Sequence, residues 1–515
     1  VAFGVAALAG RRTDTYDSAT ALVLVGALAL GVILASDVFH SQGSVERLLF
    51  GSLLVIGGTD EVVAAVSGVA VLVASALLGR RWLASGFDRS GARALGARSP
   101  VPDVVLLVLV AGAAVAALDA IGALLATALL VVPAATTRLF VDRLGRWQLA
   151  TVALVLLEGL GGLWLSVEVN APPGATIAVV GGAVFALAAL ARAGLTRRRA
   201  ITLAAAALLA LAAGGCGDSG GGDPAADGRI AVVATTTQLG DLVREVGGPA
   251  VSVTQILQPN SDPHTYEPRP KDVQRTARAA LVLTSGDGLD AWMGEVVKDA
   301  GSDAAALDAG EGRPIALPGK TSGPEASRFD PHWWHDPRNM IFAARRVHDA
   351  LVRIEPAARP ELDRSTDAYV ARLRGLDRGI ARCMARVPAA ERRLVTDHDA
   401  FAYFANRYGI TVVGAVIPSQ TTQAQPSAGD LAALSATIAR AHVRAVFPEA
   451  SLSTKLARAI ARQTGARADL SLYGDTLGPA GSAGATYIGM EQADADAMVR
   501  GFTGDAQRCR PGAGA

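Results

Sequence analysis

The sequence has little of what would mark several common classes of protein. Its 515 residues carry 48 Lys and Arg against 47 Asp and Glu, a net charge of +1. That balance gives no excess positive charge to hold a polyanion, so no nucleic-acid partner is expected. Cysteine is scarce, with three residues, Cys216, Cys383 and Cys509. A phosphate-binding loop is also missing. Gly319-Lys320-Thr321 ends like one, but Pro314 stands where its first glycine is required, and Ser322-Gly323-Pro324 does not open a helix. No ATPase is expected in this chain. Gly217-Asp218-Ser219-Gly220 has the look of a nucleophilic serine motif. It lies in a glycine-rich tether, whereas such a serine needs a positioned histidine and oxyanion donors on a rigid scaffold.

Apolar sequence is abundant, and it is unevenly placed. A hydrophobic content of 51% and a mean hydropathy of +0.33 are too high for an average soluble protein and too low for one lying wholly in a bilayer. The length also exceeds what a single core organises. Two populations meet at residues 196–223, where Arg197, Arg198 and Arg199, an apolar run over 200–213 and Ala213-Gly214-Gly215 precede Cys216. A basic stretch, a short apolar stretch and small residues at a cut form a secretory signal. With cysteine after the cut, this one resembles the lipobox at which bacteria attach lipid, which makes Cys216 the expected lipidation site.

Before this signal, apolar runs occupy residues 19–36, 48–57, 62–78, 101–118, 121–135, 149–165 and 175–190. A bilayer crossing takes about 17 to 25 residues, so the longer runs are candidate spans and the shorter ones tilted or re-entrant partners. Arg80, Arg81, Arg89, Arg93 and Arg98 fall between two runs, Arg138, Arg143 and Arg146 between two others, and Arg192 with Arg197 to Arg199 after the last. Positive loops stay cytoplasmic, which places Cys216 and all that follows outside the cytoplasm. Charges within membrane segments are costly, so Asp119 and Glu158 are candidates for a cation pathway. The plainer readings are a loop residue for Asp119 and a paired residue inside the bundle for Glu158.

After residue 229, short apolar strands alternate with amphipathic helices, the pattern of parallel sheets with helices on their faces. Strands are expected at 230–234, 251–257, 281–284, 394–396, 411–416 and 445–447. Helices are expected at 239–246, 271–279, 289–298, 400–406, 431–441 and 454–464. Leu362, Tyr369, Leu373, Leu376 and Ile380 repeat at helical spacing over residues 361–386, a long helix dividing two α/β lobes. His264 and His398 follow strands, where open α/β sheets bind ligands. With His332 and Asp475 they offer three imidazoles and a carboxylate, the donor set of a closed four-coordinate zinc site. Cys383 and Cys509 lie in the part expected in an oxidising compartment, where a disulfide between them is allowed but not required.

Several motifs then match known families. Gly86 to Gly96, Ala128 to Leu139 (ALLVVPAATTRL), Leu49 to Leu54 and Pro172 to Thr176 resemble landmarks of the metal-uptake ABC permease family over residues 1–192. Further helices precede these in that family, so an N-terminally incomplete permease is expected. The DPHTYEP, DPHWWHDP, TDHDAFAYF and YGDTLG stretches resemble the four ligand motifs of the zinc and manganese solute-binding lipoproteins that feed metal-uptake ABC transporters. The resemblance implies a multi-domain chain, with an all-α transmembrane permease segment and then an α/β two-lobe metal-binding protein with a rigid linker helix. Its divisions are residues 1–195, the signal and tether at 196–228, lobe 1 at 229–358, the linker at 359–390 and lobe 2 at 391–515.

The same resemblance implies a metal held by His264, His332, His398 and Asp475. His335 is a second contact or alternative ligand, or else a surface histidine. Zinc is favoured over manganese, because imidazole suits zinc and manganese is better served by oxygen, and affinity should fall as pH approaches the histidine range near about 6.5. The implied function is metal capture outside the membrane for an importer whose ATPase is a separate chain. The alternatives are a zinc hydrolase, if Asp475 left an open position, and a scavenging or adhesion lipoprotein without transport. A cut before Cys216, a lasting fusion and a joining of neighbouring genes all remain open.

Overall fold

The computed structural model describes residues 58–87, 101–121, 123–171, 173–192, 228–320, 326–422, 426 and 428–511. Cys216 and the apolar runs at 19–36 and 48–57 lie outside the described residues. The chain divides into two units, Val1–Cys216 and Gly217–Ala515.

In the first unit the apolar runs form helices α1 (Gly58–Phe87), α2 (Val101–Ile121), α3 (Ala123–Arg138), α4 (Leu144–Val169) and α5 (Pro173–Arg192). Among the described residues three segments are long and apolar enough to cross a membrane: Glu61–Ala84, Leu144–Val169 and Pro173–Arg192. Their polarity is inside out. Leu72, Leu77, Leu149 and Leu160 point outward, while Glu158, Ser166 and Thr176 are buried. This is the pattern of a bundle whose solvent is lipid. Helices α4 and α5 meet through small residues: a side chain on Gly162 would run into Ile177, and Gly181 lies against the Glu158 carboxylate. Close approach at small residues is how apolar helices associate in a bilayer. Asp119 is not a loop residue, because α2 continues through it to Ile121.

The second unit begins with a four-stranded parallel sheet, formed by β1 (Ile230–Ala234), β2 (Val251–Gln255), β3 (Leu281–Thr284) and β4 (Ala305–Asp308) in the order β2-β1-β3-β4. Helices α6 (Thr237–Gly247), α7 (Pro270–Thr276) and α8 (Met293–Asp299) connect its strands. Helix α9 (Pro337–Ile354) follows, burying Met340, Ala343, Ala344, Val347 and Leu351 at helical spacing. It leads into α10 (Arg359–Ala385), the long helix expected from the sequence, which buries Leu362, Tyr369, Leu373, Leu376 and Ile380.

The second lobe pairs β5 (Arg393–His398) with β6 (Thr411–Ile417) in parallel. Single parallel bridges, Thr396 to Phe447, Ala445 to Arg467 and Glu449 to Leu472, extend this sheet. Helices α11 (Ala402–Tyr408), α12 (Ala428–Arg440), α13 (Lys455–Thr464) and α14 (Tyr487–Thr503) complete the lobe.

The expected elements omit β4, α9 and α14, and the segment at 445–447 is held by bridges without forming a regular strand. One contiguous core runs from the first sheet through α9 and α10 to Phe447, Met498 and Phe502, so the two lobes share packing along the linker helix. Helix α14 packs on α10 and also reaches the first lobe, where the Tyr487 backbone N–H donates to Asp241 Oδ2 at 2.9 Å.

Cys383 on α10 is disulfide-bonded to Cys509, 126 residues away in sequence, with Cα atoms 5.4 Å apart. The bond fastens the segment after α14 to the linker helix, and Pro511 packs onto Gly379. Removing a native disulfide costs about 2–5 kcal/mol. Cys383→Ser with Cys509→Ser should therefore lower the unfolding free energy of this unit by an amount of that order, read as a lower midpoint in a urea titration under non-reducing conditions. An unchanged midpoint would show that the bond constrains nothing.

Candidate metal centre

Three Asp-Pro pairs shape the approach to the site. Asp262 Oδ1 accepts from the backbone N–H of His264 at 2.9 Å, Asp330 Oδ1 from that of His332 at 2.9 Å, and Asp336 Oδ1 from that of Arg338 at 2.9 Å. In each the aspartate caps the chain two residues on, and proline supplies the fixed φ that starts a turn. Two of these turns therefore end on a candidate ligand. His398 is the last residue of β5, and Asp475 follows the segment that bridges Glu449 through Leu472. All four residues gather between the lobes.

One donor atom from each of His264, His332, His398 and Asp475 lies within 4.8 Å of every other. His332, His398 and Asp475 are fully buried, and His264 is partly buried. His332 Nε2 is 3.4 Å from Asp475 Oδ1, while His398 Nε2 and His264 Nε2 are 3.3 Å and 3.5 Å from Asp475 Oδ2. The two buried rings approach each other at 3.3 Å between Nε2 atoms. Donors at the corners of a tetrahedron with bonds of about 2.0–2.1 Å stand about 3.3–3.4 Å apart, and the contacts to the Asp475 oxygens lie close to this value. Among the described residues neither oxygen of Asp475 makes a regular hydrogen bond. A buried carboxylate otherwise costs too much to leave so, and a cation among the three rings would satisfy it.

The two buried rings are oriented from behind. His332 Nδ1 donates to Asp330 Oδ1 at 2.8 Å, and His398 Nδ1 donates to Glu449 Oε1 at 2.7 Å. Burial alone would pull the His332 imidazole down, but Asp330 and Asp475 hold it up at about 9. The same opposition, with Glu449 and Asp475 prevailing over burial, raises His398 well above its ordinary range. Burial pushes the Asp475 carboxyl up, and the facing imidazoles, His398 foremost, more than reverse this, so its pKa lies well below the usual range.

His335 is not at the surface. It is fully buried, 3.1 Å from Glu491 Oε1 and stacked on Phe401 with ring centroids 4.4 Å apart. Burial brings its pKa down to about 3 and pushes that of Glu491 well up, which makes the pair neutral. His335 stands outside the four-residue cluster. Glu158 is buried on α4 and Asp119 lies on α2, both in the first unit. Sequence reasoning missed the roles of Asp330 and Glu449. The repeated Asp-Pro-His was a visible signal for the first, while nothing local marks Glu449.

Two lobes joined by a helix, with three imidazoles and a carboxylate buried between them, define a metal-binding solute-binding protein. Residues 232–501 match the family described as zinc-uptake complex component A, periplasmic, and the chain belongs to that family. Residues 1–192 match the ABC 3 transport family. The chain is 32% identical to the zinc-binding protein TroA of Treponema pallidum, a match covering 54% of this chain and 91% of that one. It is 31% identical to the manganese-binding lipoprotein MntA of Bacillus subtilis, covering 53% and 90%. The solved structure of the periplasmic zinc-binding protein TroA from Treponema pallidum aligns with a TM-score of 0.49 at 30% identity, covering 53% of this chain and 99% of that one. The chain thus joins a permease segment to a metal-binding component of ABC transport. It is not an enzyme, and the hydrolase alternative falls with this membership.

Breaking the buried His335–Glu491 pair leaves a polar group unpaired, at a cost of about 1–3 kcal/mol. His335→Leu should lower the thermal midpoint while metal stoichiometry stays the same. A lost equivalent of metal, read by equilibrium dialysis, would instead make His335 a ligand.

Proposed function

We propose that the chain captures zinc outside the membrane and delivers it to an ABC importer powered by an ATPase on a separate chain. In this reading His264, His332, His398 and Asp475 are the ligands, Cys216 is the lipidated residue, and the metal is cargo. The observation that carries the reading is the set of three Nε2 atoms 3.3–3.5 Å from the Asp475 oxygens. Three nitrogen donors and one carboxylate favour zinc, while manganese prefers oxygen. Four protein ligands also leave no open position for activating water, which suits carriage and not catalysis. Manganese is the second reading, favoured by the likeness to a manganese-binding relative.

The test is a competition titration of the full chain in detergent against zinc and manganese, beside His398→Ala and Asp475→Ala. One tightly bound zinc, weakened by at least about a hundredfold in each variant, is the expected result; removing one partner of a buried charged group costs several kcal/mol. Equal or tighter manganese binding would overturn the choice of metal. Unchanged binding in Asp475→Ala would remove the carboxylate from the ligand set.

Metal removal gives a separate check. A ligand present at about 1,000 times its Kd stabilises the folded state by about 4 kcal/mol. Stripping zinc with a chelator should lower the thermal midpoint of wild type and leave the Asp475→Ala midpoint unmoved. A wild-type midpoint indifferent to the chelator would count against the site.

A further inference from the structure

The two buried imidazoles are held in the same way by carboxylates from different parts of the fold. Asp330 Oδ1 accepts both the backbone N–H of His332 at 2.9 Å and its Nδ1–H at 2.8 Å. Glu449 Oε1 accepts both the backbone N–H of His398 at 3.0 Å and its Nδ1–H at 2.7 Å. Both carboxylates are fully buried, and the second oxygen of each has no hydrogen-bond partner among the described residues. Glu449 is itself fixed, since its backbone N–H donates to Asp397 Oδ2 at 2.8 Å and its free oxygen lies against Gly474, where a side chain would collide with it.

This arrangement has two chemical consequences. Pinned twice to the same residue, each carboxylate is kept behind its ring and off the cation. Oxygen donors that would suit manganese are thereby withheld from the first coordination sphere. Each negative charge also acts through the ring: a carboxylate on Nδ1–H fixes the tautomer and raises the donor strength of Nε2.

We propose that Asp330 and Glu449 are positioning residues that set the metal preference of the site, turning His332 and His398 into stronger nitrogen donors and so favouring zinc over manganese. The proposal rests on the reading that the site carries a divalent cation. It adds two residues that touch no cargo yet determine which cargo is held.

Glu449→Gln and Asp330→Asn keep the shape and the oxygen acceptor while removing the charge. The full chain in detergent, as wild type and as each variant, is titrated with zinc and with manganese against a chromophoric chelator. Each substitution is expected to weaken zinc by about 10- to 100-fold and manganese by less, so that the zinc-to-manganese affinity ratio contracts. With cobalt(II) as probe, the intense visible bands of four-coordinate metal should persist, because the ligands are unchanged.

Equal losses for both metals, unchanged zinc affinity, or disappearance of the cobalt bands would each overturn the proposal. Thermal melting of the metal-free proteins checks folding, and if Glu449→Gln does not fold, Asp330→Asn carries the test alone. A wild-type chain that binds neither metal would overturn the proposed function itself. A wild-type chain that binds zinc while both amide variants match it would overturn only the role of the two carboxylates.

Discussion

The Asp475 carboxylate is buried between two lobes, and the surrounding structure accommodates that one charge. An ionised carboxylate withdrawn from water costs several kcal/mol unless it is paired. Here the pairing comes from three imidazoles on separate segments, at 3.3–3.5 Å. The flanking backbone is tied to the opposite lobe. The Leu477 N–H donates to Thr237 Oγ1 at 2.8 Å, just beyond β1, and Thr476 Oγ1 accepts from the Asn260 N–H at 3.1 Å. On the other side, Gly474 accepts from the Trp334 indole at 3.2 Å. The carboxylate is therefore presented by a segment with little freedom to turn away.

Behind the site the lobes are fastened by Tyr403 of α11. Its hydroxyl donates to the Asp330 carbonyl at 3.1 Å and accepts from Arg313 at 3.0 Å and from the Leu317 N–H at 3.0 Å. One lobe-2 side chain thus holds the backbone of Asp330, the residue that orients His332. The Tyr487 hydroxyl donates to the Trp334 carbonyl at 2.6 Å, so α14 grips the same turn from below. With the continuous core along α10, these ties make the back of the cleft rigid. His264 differs from the other candidate ligands. It sits on a single 3-10 turn and is only partly buried.

What could be read from the sequence followed the range over which each signal acts. The linker helix and the first three strands are local patterns of apolar spacing, and they fall where periodicity puts them. The four candidate ligands were legible because each sits in a distinctive short motif. β4 was not, since Ala305 to Asp308 is short and alanine-rich, and its pairing with β3 decides it. Helix α9 carried a readable cap and stripe, Asp336-Pro337 with Met340, Val347 and Leu351, yet its motif drew attention to the histidines instead. Glu449 was invisible for a different reason. Its partner His398 is 51 residues away, and its own segment is held by isolated bridges. His335 could not be placed without Glu491, 156 residues distant.

Each half of the chain buries a carboxylate on its own terms. In the helical half, outward leucines and valines would meet lipid while Glu158 turns inward against Gly181. Its Oε1 has no hydrogen-bond partner among the described residues. In the α/β half, Asp475 is buried too but faces three nitrogen donors. Both groups hold an oxygen without a regular hydrogen-bond partner among the described residues, but Asp475 faces three imidazole nitrogens at 3.3–3.5 Å. The donors around Asp475 sit at the spacing of a small cation's coordination shell, whereas Glu158 has no such shell among the described residues. The proposed metal capture therefore rests on the second half alone, and the first contributes apolar helices that match the ABC 3 transport family.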